Sequence, residues 1–136
     1  MARVGLVVVS HSRALAEAAV SLGRQMLPGA EVAIEIAAGT DDGGLGTDAV
    51  AISAAITAAD AGDGVVVLMD LGSAVLSAET ALELLDDEVR PRVLLSPGPL
   101  VEGLVGAVVV ASGGADRDRV AAEALRGLAP KQAHLG

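Results

Sequence analysis

Cysteine is absent from this sequence, which excludes disulfides, thiolate catalysis and cysteine-ligated metal sites. Phenylalanine, tyrosine and tryptophan are absent too. Single-strand nucleic-acid binders stack bases on aromatic rings, so that class has no platform here, and a carbohydrate-stacking site is equally poorly served. Lysine occurs once, at Lys131, and histidine twice, at His11 and His134. With two imidazoles and no thiol, a zinc centre is not expected, and neither a metal nor a cofactor is called for. The net charge of −9 opposes binding to a phosphate backbone and suits a basic protein partner met by electrostatic steering. No apolar run approaches the ~20 residues needed to span a bilayer; the longest, Gly103 to Ala111, is far shorter. The N-terminus shows no signal-peptide pattern, so a cytoplasmic location without membrane association is expected.

What is present is small and aliphatic: 52% of the 136 residues are hydrophobic, enough for one domain over residues 1–136. Val4 to Val9 reads as a strand buried on both faces. Leu15, Ala18, Ala19, Leu22 and Met26 then fall on one face of a helix, expected to be its core face, which Pro28-Gly29 ends. Val32, Ile34 and Ile36 alternate with polar or small residues, as in a half-exposed strand near an edge. Gly39 to Thr47 is a glycine-rich loop, and Asp48 to Ala59 a helix of small residues. Gly64 to Met69 is a second buried strand, ending at Asp70. Ser73 to Leu85 is a helix with Val75, Leu76, Leu82 and Leu85 apolar and Glu79 and Glu83 solvated. A short strand follows at Val93 to Leu95. Leu100 to Ser112 is assigned to helix on its length and its Pro99 start, despite valine and glycine. Asp116 to Leu128 is a capped helix, and the tail from about residue 129, with His134, is expected to fray. This alternation implies an α/β fold, doubly wound, with a mainly parallel sheet of about four strands and helices on both faces.

In such sheets, ligands bind outside the carboxyl ends of the strands. His11 stands there, just after the first strand and before a helix, whose N-terminal N–H groups favour anions. Imidazole is the side chain whose neutral, nucleophilic form is populated near neutral pH. Asp70, ending a neighbouring strand, can accept from Nδ1–H and leave the Nε2 lone pair free, the orienting role an aspartate has in a catalytic triad. The three turns Ser10-His11-Ser12, Gly39 to Thr47 and Asp70 to Ser73 gather at one sheet edge. They offer Ser12, Thr40, Gly43, Gly44, Gly72 and Ser73 as phosphate-binding groups. Each residue also has a plainer reading: His11 as a satisfied polar group, Asp70 as a helix cap. The loop matches no phosphate-loop motif, and Ser73 is in no G-x-S-x-G elbow.

Taken together, Val8-Val9-Ser10-His11-Ser12, Gly39 to Thr47, Val67 to Ala74 and Pro99-Leu100-Val101-Glu102-Gly103 resemble the phosphotransferase subunit of phosphoenolpyruvate-dependent dihydroxyacetone kinase. That subunit is similar to mannose-type enzyme IIA domains. The resemblance covers nearly the whole chain. Where mannose-type sugar domains show Gly-Gly-Ser-Pro after the strand-end aspartate, this chain has Leu71-Gly72-Ser73-Ala74, which favours the dihydroxyacetone branch. The resemblance implies that His11 becomes the phosphohistidine, charged by the phosphocarrier HPr. It implies that the phosphoryl group passes to ADP on the nucleotide-binding kinase subunit. The high apolar content and the habit of mannose-type domains together point to a homodimer, with Leu100 to Ser112 as the expected interface because its small residues allow close backbone approach. Because this sequence stops at Gly136, the donor is expected to be a separate protein. Three alternatives remain: a sugar-transporting enzyme IIA, a receiver-like domain phosphorylated on Asp70, and a passive nucleotide-binding module.

Overall fold

The computed structural model describes residues 1–136. Four strands form one sheet: β1 (Gly5–Ser10), β2 (Ile34–Ala38), β3 (Val65–Met69) and β4 (Val93–Ser96), in the order β2-β1-β3-β4, with every pairing parallel. The helices are α1 (Arg13–Met26), α2 (Ala49–Ala59), α3 (Gly72–Glu83), α4 (Leu100–Ser112), α5 (Arg117–Leu125) and α6 (Ala129–Leu135), with single 3-10 turns at Arg90–Arg92 and Arg126–Leu128. The expected fold class is the one observed. The period-two pattern correctly placed β2 at an edge, and the helical assignment of the valine-rich segment after Pro99 holds.

The central strands are all apolar because both faces are covered. Leu6 and Val8 of β1 face α1, α4 and α5, while Val7 and Val9 face α2 and α3. Chain order reverses between β1 and β3, and in open α/β sheets the ligand crevice lies at such a switch point. Val9 pairs with Met69, so the residues just beyond them, Ser10-His11 and Asp70, emerge side by side.

Two helices correct the sequence reading. Helix α1 buries Ala16, Ala19, Val20 and Gly23, while Leu15, Leu22 and Met26 are 44%, 43% and 60% exposed. Helix α3 buries Ala74, Ala78 and Ala81, leaving Val75 and Leu76 outside. In both helices the small residues meet the core and these larger aliphatics of the expected stripe lie outside it. Close approach is evident between α4 and α5, where an added Cβ at Gly103 would stand 2.9 Å from the Ala124 carbonyl oxygen. The segment after residue 128, expected to fray, forms α6; it is exposed throughout, and Lys131 ion-pairs with Glu102 of α4. No helix is long and apolar enough to cross a membrane.

Candidate phosphoryl-transfer site

The β1–α1 turn presents His11 because Ser12 starts the next helix: Ser12 is the N-cap of α1, its hydroxyl accepting from the Leu15 N–H at 3.2 Å. The β3–α3 turn presents Asp70 in register beside it. His11 Nδ1 lies 2.9 Å from Asp70 Oδ1, and the His11 backbone N–H donates to Asp70 Oδ2 at 3.0 Å. The Ser10 hydroxyl donates to Oδ2 at 2.9 Å and the Leu71 N–H to Oδ1 at 2.7 Å. Each carboxylate oxygen therefore accepts two hydrogen bonds. Burial acts to raise the Asp70 carboxyl, but the hydrogen bonds from His11, Ser10 and Leu71 outweigh it and hold the group below the usual carboxylate range. Asp70 as an anion can only accept, so Nδ1 is the ring's donor to it, and in the neutral ring Nε2 bears the lone pair.

Nε2 points outward to the Ser73 hydroxyl, with which it makes a short contact. Ser73 is the second residue of α3, and Leu71, its N-cap residue, gives no side-chain cap. The Gly72 and Ser73 N–H groups thus have no intrahelical acceptor and stand at the positive end of the helix dipole. An electron-rich nitrogen faces an anion-favouring helix end. The His11 side chain is 25% exposed and that of Asp70 10%, so the imidazole is open to solvent and the carboxylate largely covered. Asp70 has no free lone pair directed at solvent, which disfavours it as the phosphoryl acceptor of a receiver-like domain.

The other sequence-predicted groups are placed differently. Thr40 accepts from the Gly44 N–H and donates to Asp42, and the Gly43 N–H donates to the Thr40 carbonyl. The Gly39–Thr47 loop therefore spends these N–H groups on its own turn rather than facing them to His11. Asp42 is held below the usual carboxylate range, chiefly by its bond from the Thr40 hydroxyl. The loop instead braces the site: the Gly46 N–H donates to the His11 carbonyl at 2.9 Å, and Thr47 bonds Ser77 of α3 at 2.6 Å. Gly39 requires its residue type, since its φ of +73° is left-handed. His134 lies exposed in α6, and Lys131 is spent on Glu102. Ser10, which sequence reasoning passed over, is fully buried; its signal was a hydroxyl ending an otherwise apolar strand.

Cavity size does not choose this site. The largest hollow, about 740 Å³, lies at the opposite end of the sheet among Met1, Arg3, Arg24, Glu31 and Ser112. A cleft of about 560 Å³ beside Asp70 is lined by Val75, Glu79, Leu95 and the Pro97–Leu100 turn. No group of three or more His, Cys, Asp or Glu side chains is arranged to hold a metal ion.

Residues 5–121 match the family described as PTS system fructose IIA component, EIIA-man. The phosphoryl donor subunits of PEP-dependent dihydroxyacetone kinase from Pantoea ananatis and Escherichia coli are each 50% identical over 98% of this chain. The chain spans under a third of the length of those two relatives, 28% and 29%. A Listeria innocua phosphoryl donor subunit of the same kinase type is 41% identical, matching 78% of this chain and 84% of its own length. Among solved structures, a protein of unknown function superposes with a TM-score of 0.83 at 33% identity, covering 91% of this chain and 94% of its own. The mannose/sorbose-specific IIA subunit from Enterococcus faecalis superposes at 0.61 and 23% identity, covering 93% of this chain and 89% of its own, a likeness of fold.

Proposed function

The chain belongs to the EIIA-man family of phosphotransferase-system IIA components, and we propose that it is the phosphoryl carrier serving a dihydroxyacetone kinase. The observation that carries this reading is the fixed His11–Asp70 pair at 2.9 Å with Nε2 turned outward to the start of α3. In the first transfer, Nε2 attacks phosphorus on phospho-HPr: the Nε2–P bond forms as the donor's N–P bond breaks, and Nδ1 keeps its proton. Positive charge develops on the ring and is stabilised by the Asp70 carboxylate. Gly72, Ser73 and the hydroxyl of Ser73 receive the phosphoryl oxygens. In the second transfer, the terminal phosphate oxygen of ADP attacks phosphorus, Nε2–P breaks, and ATP forms on the nucleotide-binding kinase subunit. The chain is consumed and regenerated as a partner in group transfer and needs no cofactor of its own.

Both partners must be proteins that reach an open site. Leu15, Leu45, Leu71, Val75 and Val101 are at least 37% exposed on the edge that carries His11, and such a patch favours protein docking. Nothing at this edge is shaped for adenine: there is no aromatic ring and no lysine but Lys131. Homodimer formation and a cytoplasmic location belong to the same proposal. The exposed stripe of α1 and Val109 of α4 support self-association, whereas Gly103, Leu104, Ala107, Val108 and Ala111 are already buried within the subunit.

The test is reconstitution with phosphoenolpyruvate, enzyme I and HPr, followed by mass spectrometry under alkaline conditions. One alkali-stable, acid-labile phosphate on His11 is expected. His11→Ala should take none, and His134→Ala should match the parent. Phosphate on His11→Ala, or an alkali-labile phosphate on Asp70, would end this reading.

A further inference from the structure

Ser10 is fully buried, yet it follows five apolar residues from Gly5 to Val9 in strand β1. Its hydroxyl accepts from the Ser12 N–H at 3.1 Å and donates to Asp70 Oδ2 at 2.9 Å. A serine hydroxyl has a single proton. The Ser12 N–H occupies a lone pair, so the proton is directed at the carboxylate. Satisfying a turn would need only the first of these bonds; the second reaches a residue 60 positions away.

We infer that Ser10 is a positioning residue whose hydroxyl locks the rotation of the Asp70 carboxylate, so that Oδ1 faces His11 Nδ1 and the ring stays in the Nδ1–H tautomer. This rests on the proposal that Nε2 of His11 carries the phosphoryl group. Oδ2 is pinned by the Ser10 hydroxyl and the His11 N–H, while Oδ1 takes the ring and the Leu71 N–H. Remove the hydroxyl and Oδ2 keeps one donor in a pocket where Ser10 itself admits no water. The carboxylate is then held by three donors instead of four, less firmly at Oδ2, and its hold on Nδ1 loosens. The Nε2–H tautomer, which cannot attack phosphorus, gains population.

The experiment reads tautomer and transfer separately. Long-range proton–nitrogen correlation spectra of the His11 ring report which nitrogen bears the proton, with no phosphoryl donor present. Transfer from phospho-HPr is timed by rapid quench on the same proteins. In the parent, Nδ1 is protonated and Nε2 bare. Ser10→Ala is expected to show mixed tautomers and about tenfold slower transfer, the factor of one lost orienting bond. Ser10→Thr, which keeps the hydroxyl, is expected to restore both. Should Ser10→Ala fail to fold, Ser10→Cys takes its place, since S–H is only a weak donor. A folded variant lacking the hydroxyl with the parent's tautomer and rate overturns the role. So does Ser10→Thr behaving like Ser10→Ala, which would assign the loss to packing. If the parent shows the Nδ1–H tautomer but takes no phosphate, the carrier reading fails while the role of Ser10 in holding the ring stands.

Discussion

Asp70→Asn is the most informative single substitution, because it keeps the shape of the side chain and reverses one of its hydrogen-bonding ends. Four donors converge on the two carboxylate oxygens. An amide NH2 at the Oδ2 position would face the Ser10 hydroxyl and the His11 N–H. At the Oδ1 position it would face the Leu71 N–H and donate to Nδ1, which forces the ring into its Nε2–H tautomer. Either placement leaves a backbone N–H without its acceptor, a loss of about 1–3 kcal/mol for a covered group. The effect on transfer is larger. Attraction between the carboxylate and the cationic ring is about 4 kcal/mol at roughly 4 Å and an effective dielectric near 20, or about 10³ in rate. Because the ring is 25% exposed, solvent screening lowers this toward 10². Rapid-quench timing of phosphoryl uptake, beside thermal unfolding of the same protein, is therefore expected to show a folded variant slowed by about 10²–10³. Uptake within about threefold of the parent would refute the orienting role and reduce Asp70 to a buried structural acceptor. A related sign follows from its depressed folded-state pKa. The stabilisation from Asp70 is fully present above the unfolded carboxylate value of ~3.9 and is lost only as pH falls through the lower folded value.

The opposite end of the sheet gives a second pH test. Asp60, with a side chain 6% exposed, takes hydrogen bonds from Arg92, the foremost of them 2.7 Å from Nη2 to Oδ2, and these hold its carboxyl below the usual range. Calorimetry should find Asp60→Asn less heat-stable at neutral pH, with the gap closing below about pH 4; an unchanged gap in acid would contradict the ion pair. Two glycines separate packing from chemistry. Gly103→Ala, whose Cβ would meet the Ala124 carbonyl and Leu68, should cost about 1–3 kcal/mol in urea unfolding. Gly72→Ala meets nothing within 4 Å and should keep both stability and transfer, because the proposed phosphoryl contact is its N–H; a large loss of transfer would show that the bare Cα matters. Leu22→Glu, on the exposed stripe of α1, should turn a dimer into monomers in sedimentation velocity without lowering transfer, and no change would remove that stripe from the interface.

What the sequence determined by itself is the order of elements and the residues that carry the chemistry. The short apolar runs Val4 to Val9 and Gly64 to Met69, each closed by a turn, read as buried strands. Pro99 and Asp116 set helix starts, and His11 and Asp70 each close a strand, where the topology of an alternating α/β chain gathers reactive groups. These are local facts, readable from spacing and side-chain type. The tertiary structure decided which helix faces are buried and which N–H groups are free. Hydrophobicity alone chose Leu15, Leu22 and Met26 for the core, but the docked helix buries Ala16, Ala19, Val20 and Gly23 instead, because which face meets the sheet is set by how the whole chain packs. The same holds at the site. The glycines of the Gly39–Thr47 loop looked like an open cradle, and folding turned Gly43 and Gly44 inward onto Thr40. The orientation of Asp70 depends on the Ser10 hydroxyl and the His11 N–H arriving beside it, and strand register, which no single segment encodes, brings them there.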